Sequence, residues 1–144
     1  MRRRVLVLCG LILIAAGPWL RAETDDEVEA HRLALDLTGA FSNDGFKLRD
    51  GHWAGTIKPA ERALIAVNLY AGNQYWFAAA ANTKAKKISV DLFDENGKPL
   101  VTEIYNQGER AAAGFSPTAS GQYFVSLSLL EGEPTAFCLV YSYK

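Results

Sequence analysis

The chain has 144 residues, of which 49% are hydrophobic and 22% are charged, and its formal net charge is −1. This length lies in the common range for a single domain and is sufficient to bury a core. A nucleic-acid partner is disfavoured, because phosphate binding requires clustered positive charge.

Residues 1–22 have the organisation of a secretory signal peptide. Arginines at positions 2–4 precede an apolar run over residues 5–16, and small residues follow, which is the order that a secretion channel recognises. The run is too short for a membrane-spanning helix, which needs about 20 apolar residues, so no stable membrane span is expected after cleavage. Cleavage is predicted after Ala22, with Gly17 as the alternative site. The mature protein is therefore expected in the periplasm or outside the cell.

Cleavage would change both the charge and the cysteine content. It removes four arginines and no acidic residue, so that 15 basic residues become 11 against 16 acidic ones. It also removes Cys9 and leaves Cys138 as the single cysteine. No internal disulfide is therefore predicted, even in an oxidising compartment, and stability must come from the core.

An amphipathic helix is predicted over residues 23–41. Thr24 and Glu27 have the spacing of a capping box, and Gly39 is expected to end the helix. Apolar residues recur at helical spacing and form one narrow stripe, which consists of Ala30, Leu33, Ala34, Leu37 and Phe41.

Residues 42–144 are predicted to form an antiparallel β-sandwich of the jelly-roll or Greek-key type. Apolar residues alternate with polar ones between turn-forming residues, as is typical of short antiparallel strands. Asn96 and Gly97 tolerate the positive φ of a tight turn, so strands 87–93 and 99–105 are predicted to pair. Seven strands are expected, near residues 53–57, 62–70, 74–79, 87–93, 100–104, 123–129 and 137–143.

Part of this segment is similar to a known bacterial domain. Gly72, Tyr75 and Phe77 form a pattern of glycine, two residues and Tyr-x-Phe, and the similarity continues as far as Val125. On these residues, the segment 60–143 resembles the bacterial pre-peptidase C-terminal (PPC) domain. The resemblance implies a β-sandwich, which in that family usually follows a secreted hydrolase and is thought to aid contact with substrate or matrix.

Some members of that family bind calcium through acidic residues that flank the strand corresponding to residues 87–94. Asp91 and Asp94 are the matching calcium candidates, whereas Lys87 stands where another acid would be expected. Calcium requires about six or more oxygen ligands. Apart from these two candidates, no metal and no cofactor is expected.

No constellation of catalytic residues is apparent. His31 and His52 are interpreted as surface side chains, because neither has a second soft ligand at metal-binding spacing. No Ser, His and acid arrangement can be assembled from the spacing. Cys138 alternates with its strand neighbours and is interpreted as a small buried hydrophobe on the face opposite to theirs. The protein is therefore not expected to be an enzyme.

Three large aromatic residues are predicted on outward strand faces, which would not normally be left to water: Trp76, Phe93 and Phe124. Two interpretations are open. In the first, the apolar stripe of the helix covers such rings. In the second, Trp76 forms a platform for a partner or a sugar, with flat alanines beside it and Trp53 nearby.

The main functional hypothesis is an exported, non-catalytic module that binds another exported protein or a cell-envelope glycan. A carbohydrate-binding module is the first alternative, since aromatic rings stack on sugar faces. A hydrolase that uses acids such as Asp91 and Asp94 is the second. The sequence predicts no oligomeric state.

Overall fold

The structure is a computed structural model, and it describes residues 22–144. The predicted signal peptide therefore lies outside the described residues, apart from Ala22, and its two possible cleavage sites stay predictions. Within the described part of the chain, no helix is long and apolar enough to cross a membrane.

The helix α1 spans Asp25–Ser42 and begins with the predicted capping box. Thr24 Oγ1 accepts from the backbone N–H of Glu27, and a Glu27 carboxylate oxygen accepts from the N–H of Thr24, both at 3.2 Å. The predicted end at Gly39 is wrong, because the helix continues for almost another turn. That extension places Phe41 against the adjoining sheet, and the contact outweighs the low helix propensity of glycine.

Within residues 22–144, nine strands form two antiparallel sheets. The larger sheet has the order β1-β9-β4-β7-β6, with β2 beside β1 along the same edge of β9, and the smaller sheet has the order β3-β8-β5. The strands are β1 Lys47–Leu48, β2 Trp53–Ile57, β3 Arg62–Leu69, β4 Tyr75–Ala81, β5 Ala85–Phe93, β6 Glu103–Gln107, β7 Arg110–Phe115, β8 Gly121–Gly132 and β9 Thr135–Tyr143.

The predicted hairpin after β5 forms only at its turn. The N–H of Asp94 donates to the carbonyl of Lys98 at 3.0 Å, and Gly97 has the expected positive φ of 79°. Pairing then stops after a single bridge between Phe93 and Pro99 and one further bond, from the N–H of Leu100 to a β5 carbonyl. Pro99 has no N–H to donate to a ladder, and the chain crosses to the larger sheet, where β6 pairs with β7. The predicted pairing of 87–93 with 99–105 is therefore wrong.

Apolar residues form one cluster between the sheets and a second cluster beneath the helix. The cluster between the sheets contains the apolar residues that alternate with Trp76, Phe93 and Phe124 along their strands, each at most 9% exposed: Tyr75, Phe77, Ile88, Val90, Leu92, Tyr123, Val125 and Leu127. The second cluster joins the helix stripe to the outer face of the larger sheet: Ala30, Leu33, Ala34, Leu37, Ala78, Ala80, Ala112, Cys138 and Val140. The helix therefore covers one outer face of the protein, that of the larger sheet.

Candidate functional site

Trp76 lies on β4 at the margin of the helix-covered face. Its indole stacks on Phe41 with ring centroids 4.5 Å apart and an angle of 9° between the planes. A Cβ placed on Gly114 of β7 would lie 2.9–3.0 Å from three atoms of the indole, so the ring occupies the space that this glycine leaves open. Ala78 and Ala80, the flat part of the predicted platform, are fully buried beneath α1. The interpretation in which the helix covers the outward ring is confirmed for Trp76.

Trp53 lies on the opposite face of the larger sheet from Trp76. It pairs with Leu139 of β9, an inward residue, whereas Trp76 pairs with Ser142, which points outward. The indole of Trp53 stacks on Tyr141 at 5.9 Å. The two tryptophans therefore cannot form a joint platform, and that part of the prediction is wrong.

Arg49 completes the arrangement around Trp53, since its guanidinium lies 5.2 Å from the Trp53 ring centre and 5.1 Å from that of Tyr141. Burial raises the pKa of the Tyr141 phenol, and Arg49 opposes this shift. The phenol is therefore neutral at physiological pH, and the three side chains form a cation–π stack at the sheet margin.

Phe93 and Phe124 form a pair on the outer face of the smaller sheet. They are directly opposite each other on β5 and β8, and both are half-buried. Leu64 of β3 extends the apolar surface and is 59% exposed, and the guanidinium of Arg62 lies 5.9 Å from the Phe93 ring centre. A shallow cavity of about 410 Å³ adjoins these four side chains. The helix does not cover Phe93 and Phe124, since it packs on the other sheet.

The calcium candidates lie near the same face but are not grouped with a third acid. Asp91 is exposed, with a carboxylate oxygen 3.4 Å from the hydroxyl of Ser89. Asp94 accepts the backbone N–H groups of Asn96 and Lys98, both at 2.9 Å, and so stabilises its own turn. Among the described residues, neither aspartate belongs to a group of three metal-ligand side chains.

A group of three metal-ligand side chains forms elsewhere, from two residues predicted at the surface and one predicted in the core. His31 of α1, His52 of the loop before β2 and Cys138 of β9 offer three ligand atoms, and these atoms lie within 4.8 Å of one another. The two imidazoles stack with centroids 4.1 Å apart. His52 is exposed and His31 is partly buried, in keeping with the surface interpretation, but the fold brings both beside Cys138, a grouping that the sequence spacing does not indicate.

Cys138 itself is placed as predicted, buried on the strand face opposite its neighbours. Burial, with a smaller contribution from the charge of Glu23, raises the pKa of its thiol to about 12. A carboxylate oxygen of Glu23 lies 3.4 Å from Nε2 of His52. The thiol is therefore protonated at neutral pH, beside two imidazoles and one carboxylate.

No protein-family model matches the chain, and no curated protein matches it with significance.

Proposed function

We propose that the mature protein is an exported, non-catalytic binding module, in the periplasm or outside the cell, that recognises another exported protein through the outer face of its smaller sheet. The observation that carries this proposal is the apolar surface of Leu64, Phe93 and Phe124. No described residue packs over that surface as the helix packs over the larger sheet. Contiguous apolar surface of this kind marks interaction sites in soluble proteins.

We also assign the two sheets to a β-sandwich of the jelly-roll or Greek-key type, related to the PPC domain. Support comes from the single apolar cluster shared by the inward faces of the two sheets and from the segment that carries the resemblance. There Gly72 adopts a φ of 92° in the turn before β4, and Tyr75 and Phe77 are core residues.

The edge strand β3 favours a partner in extended conformation. The strand β3 is terminal in its sheet, and among the described strands only β8 pairs with it. Its free edge can therefore accept a further strand by main-chain hydrogen bonds, with neighbouring side chains giving specificity. Side chains of an added strand would lie beside Leu64 and Arg62, two of the outward residues of β3.

The positive charge of Arg62 indicates that the partner carries a negative charge at this position. Within the described part of the chain, no carboxylate lies within 4 Å of the guanidinium of Arg62. An extended segment with an apolar side chain and a neighbouring carboxylate complements Leu64 and Arg62. Leu64 is aliphatic and offers no hydrogen bond to sugar hydroxyls, so a peptide fits this surface better than a glycan does.

Site-specific photo-crosslinking in the producing cell tests the proposal. A crosslinking amino acid at Leu64 is expected to capture one defined exported protein, and the same probe at Ile104 is the matched control, since Ile104 is 66% exposed on the edge strand of the other sheet. On mixing with the purified partner, amide exchange is expected to slow in Arg62–Leu69. Equal capture at both positions, or unchanged exchange in β3, would contradict the proposal, and calorimetric binding of a polysaccharide that Leu64→Asp abolishes would favour the glycan alternative.

A further inference from the structure

We propose that His31, His52 and Cys138 form a binding site for one soft or borderline transition-metal ion, with Glu23 as a fourth ligand. This inference is independent of the partner surface and of export. It depends on side chains from four separate parts of the chain: the segment before α1, the helix itself, the loop before β2 and the middle of β9.

The donor set fits such an ion. Two imidazole nitrogens, one sulfur and one carboxylate oxygen are the ligands that zinc takes in four-coordinate sites, and two histidines with one cysteine and a weak further ligand also suit copper. Calcium and magnesium are excluded by the same set, because they require mostly oxygen ligands. The site therefore favours metal ions that bind nitrogen and sulfur ligands.

The distances are close to those that a bound ion requires. Zinc lies about 2.0–2.3 Å from nitrogen and sulfur ligands, so tetrahedral ligand atoms are roughly 3.3–3.8 Å apart. The ligand atoms of His31, His52 and Cys138 lie within 4.8 Å of one another, so closure of these three requires movements of about 1 Å. His52 can supply this movement, since it is exposed in a loop and follows Gly51, which has a φ of 88°. Glu23 lies outside this group and is placed near it by the 3.4 Å between its carboxylate and Nε2 of His52.

The contacts of the four side chains with one another do not account for the arrangement. Glu23 lies 3.4 Å from Nε2 of His52, which is longer than the 2.7–2.9 Å of a typical charge-assisted hydrogen bond. Cys138 places a fully buried sulfur beside two imidazoles rather than among apolar groups alone. A cation between the three grouped side chains would bind both imidazoles and the sulfur at once, with the Glu23 carboxylate beside His52.

Binding replaces a proton with the metal ion. The Cys138 thiol releases its proton to solvent as the sulfur–metal bond forms, and the two imidazoles bind in their neutral form through one nitrogen each. No electron is transferred. The ion would connect α1 to β9 and to the loop before β2, so it is expected to stabilise the docked helix.

Metal titration of the purified, chelator-treated protein tests the site. Calorimetry with Zn²⁺ and absorption with Co²⁺ form one arm, and competition for Cu⁺ under reducing conditions forms the other. We expect one ion per chain and a sulfur-to-cobalt charge-transfer absorption that is lost in Cys138→Ala. Zn²⁺ affinity is expected to fall about 100-fold or more in His31→Ala, His52→Ala and Cys138→Ala, and about tenfold in Glu23→Gln.

Two control variants separate loss of the site from loss of structure. Val140→Ala truncates a buried residue on the same face of β9, and Asp25→Asn removes an acid close to Glu23. Both are expected to bind metal as the parent protein does. If Cys138→Ala does not fold, His52→Ala still tests the site, because it lies in an exposed loop.

The outcomes are distinct. Tight Cu⁺ binding with weak Zn²⁺ binding, both lost in the same variants, supports the site and assigns it to copper. The proposal is overturned if neither ion binds at micromolar concentration, or if all four ligand variants bind as the parent does.

Discussion

The indole of Trp76 lies between Gly114 and Phe41 of the helix, and Gly114→Ala tests how closely the ring packs on Gly114. An added Cβ would lie 2.9–3.0 Å from the indole, whereas carbon atoms in contact are about 3.5–4.0 Å apart. The ring would have to move by roughly 0.5–1 Å, away from its stack on Phe41. Overpacking of this kind costs about 1–3 kcal/mol.

Part of that cost is offset, because alanine is better than glycine in a strand by about 0.5–1 kcal/mol. We therefore expect a net loss of about 1–2 kcal/mol in the free energy of unfolding, which is a fall of roughly 4–8 °C in Tm for a domain of this size. Far-UV circular dichroism during thermal and urea unfolding measures it without dependence on tryptophan emission. Gly121→Ala is the matched control, since a Cβ there meets nothing within 4 Å.

A double-mutant cycle makes the result specific. In the background Trp76→Leu, Gly114→Ala is expected to lose most of its cost, which gives a coupling energy of about 1 kcal/mol between the two sites. If Gly114→Ala costs the same with and without the indole, or behaves like Gly121→Ala, then Trp76 does not rest on Gly114.

Three further predictions concern single residues. Gly39→Ala is expected to raise the free energy of unfolding by about 0.5–1 kcal/mol in urea titrations, since Gly39 lies inside α1; a loss would restore the earlier end predicted for the helix. Gly132→Ala should lower the free energy of unfolding by at least about 2 kcal/mol in the same titrations, because φ is 127° and the added Cβ would lie 2.6 Å from the Lys84 carbonyl oxygen. A cost as small as that of Gly121→Ala would contradict this prediction. The pKa of the metal-free Cys138 thiol is raised to about 12, so in the folded protein at pH 8 it should react with a disulfide reagent at least about 1,000-fold more slowly than in the protein unfolded by urea. The reaction rate of the folded protein should then rise about tenfold per pH unit up to the pKa. A rate that levels off below pH 9 would contradict the raised pKa.

Local patterns in the sequence were sufficient to predict the helix and seven of the nine described strands, but not β1, which has two residues, or β7, whose run of alanines shows no alternation. The capping box of Thr24 and Glu27 involves residues three apart, and strand alternation depends on neighbours two apart, so both can be recognised without the fold. For the same reason Trp76, Phe93 and Phe124 were correctly assigned to outward strand faces, and Cys138 to the face opposite its strand neighbours. The end of α1 was missed because Phe41 gains its contact from another element.

The grouping of His31, His52 and Cys138 could not be predicted from spacing, since 21 and 86 residues separate them. One signal was present nonetheless. His31 directly follows Ala30 of the helix stripe, and Cys138 was assigned to the strand face opposite Phe137 and Leu139, which is the face that the stripe covers in the structure. The position of His52 depends on the pairing of β2 with β9, a long-range register that no local pattern specifies.

The helix gives the two outer faces of the protein different roles. By packing on the larger sheet, α1 buries the alanine-rich outer face of that sheet and brings His31 to Cys138. Leu64, Phe93 and Phe124 lie on the far side of the smaller sheet. Two packed sheets, with about 10 Å between them, separate these surfaces. A metal ion and a protein partner could therefore be bound at the same time without contact. Any coupling between them would have to pass through a close-packed core with little freedom to rearrange, so metal saturation is expected to stabilise the fold and leave the affinity of the β3 surface unchanged.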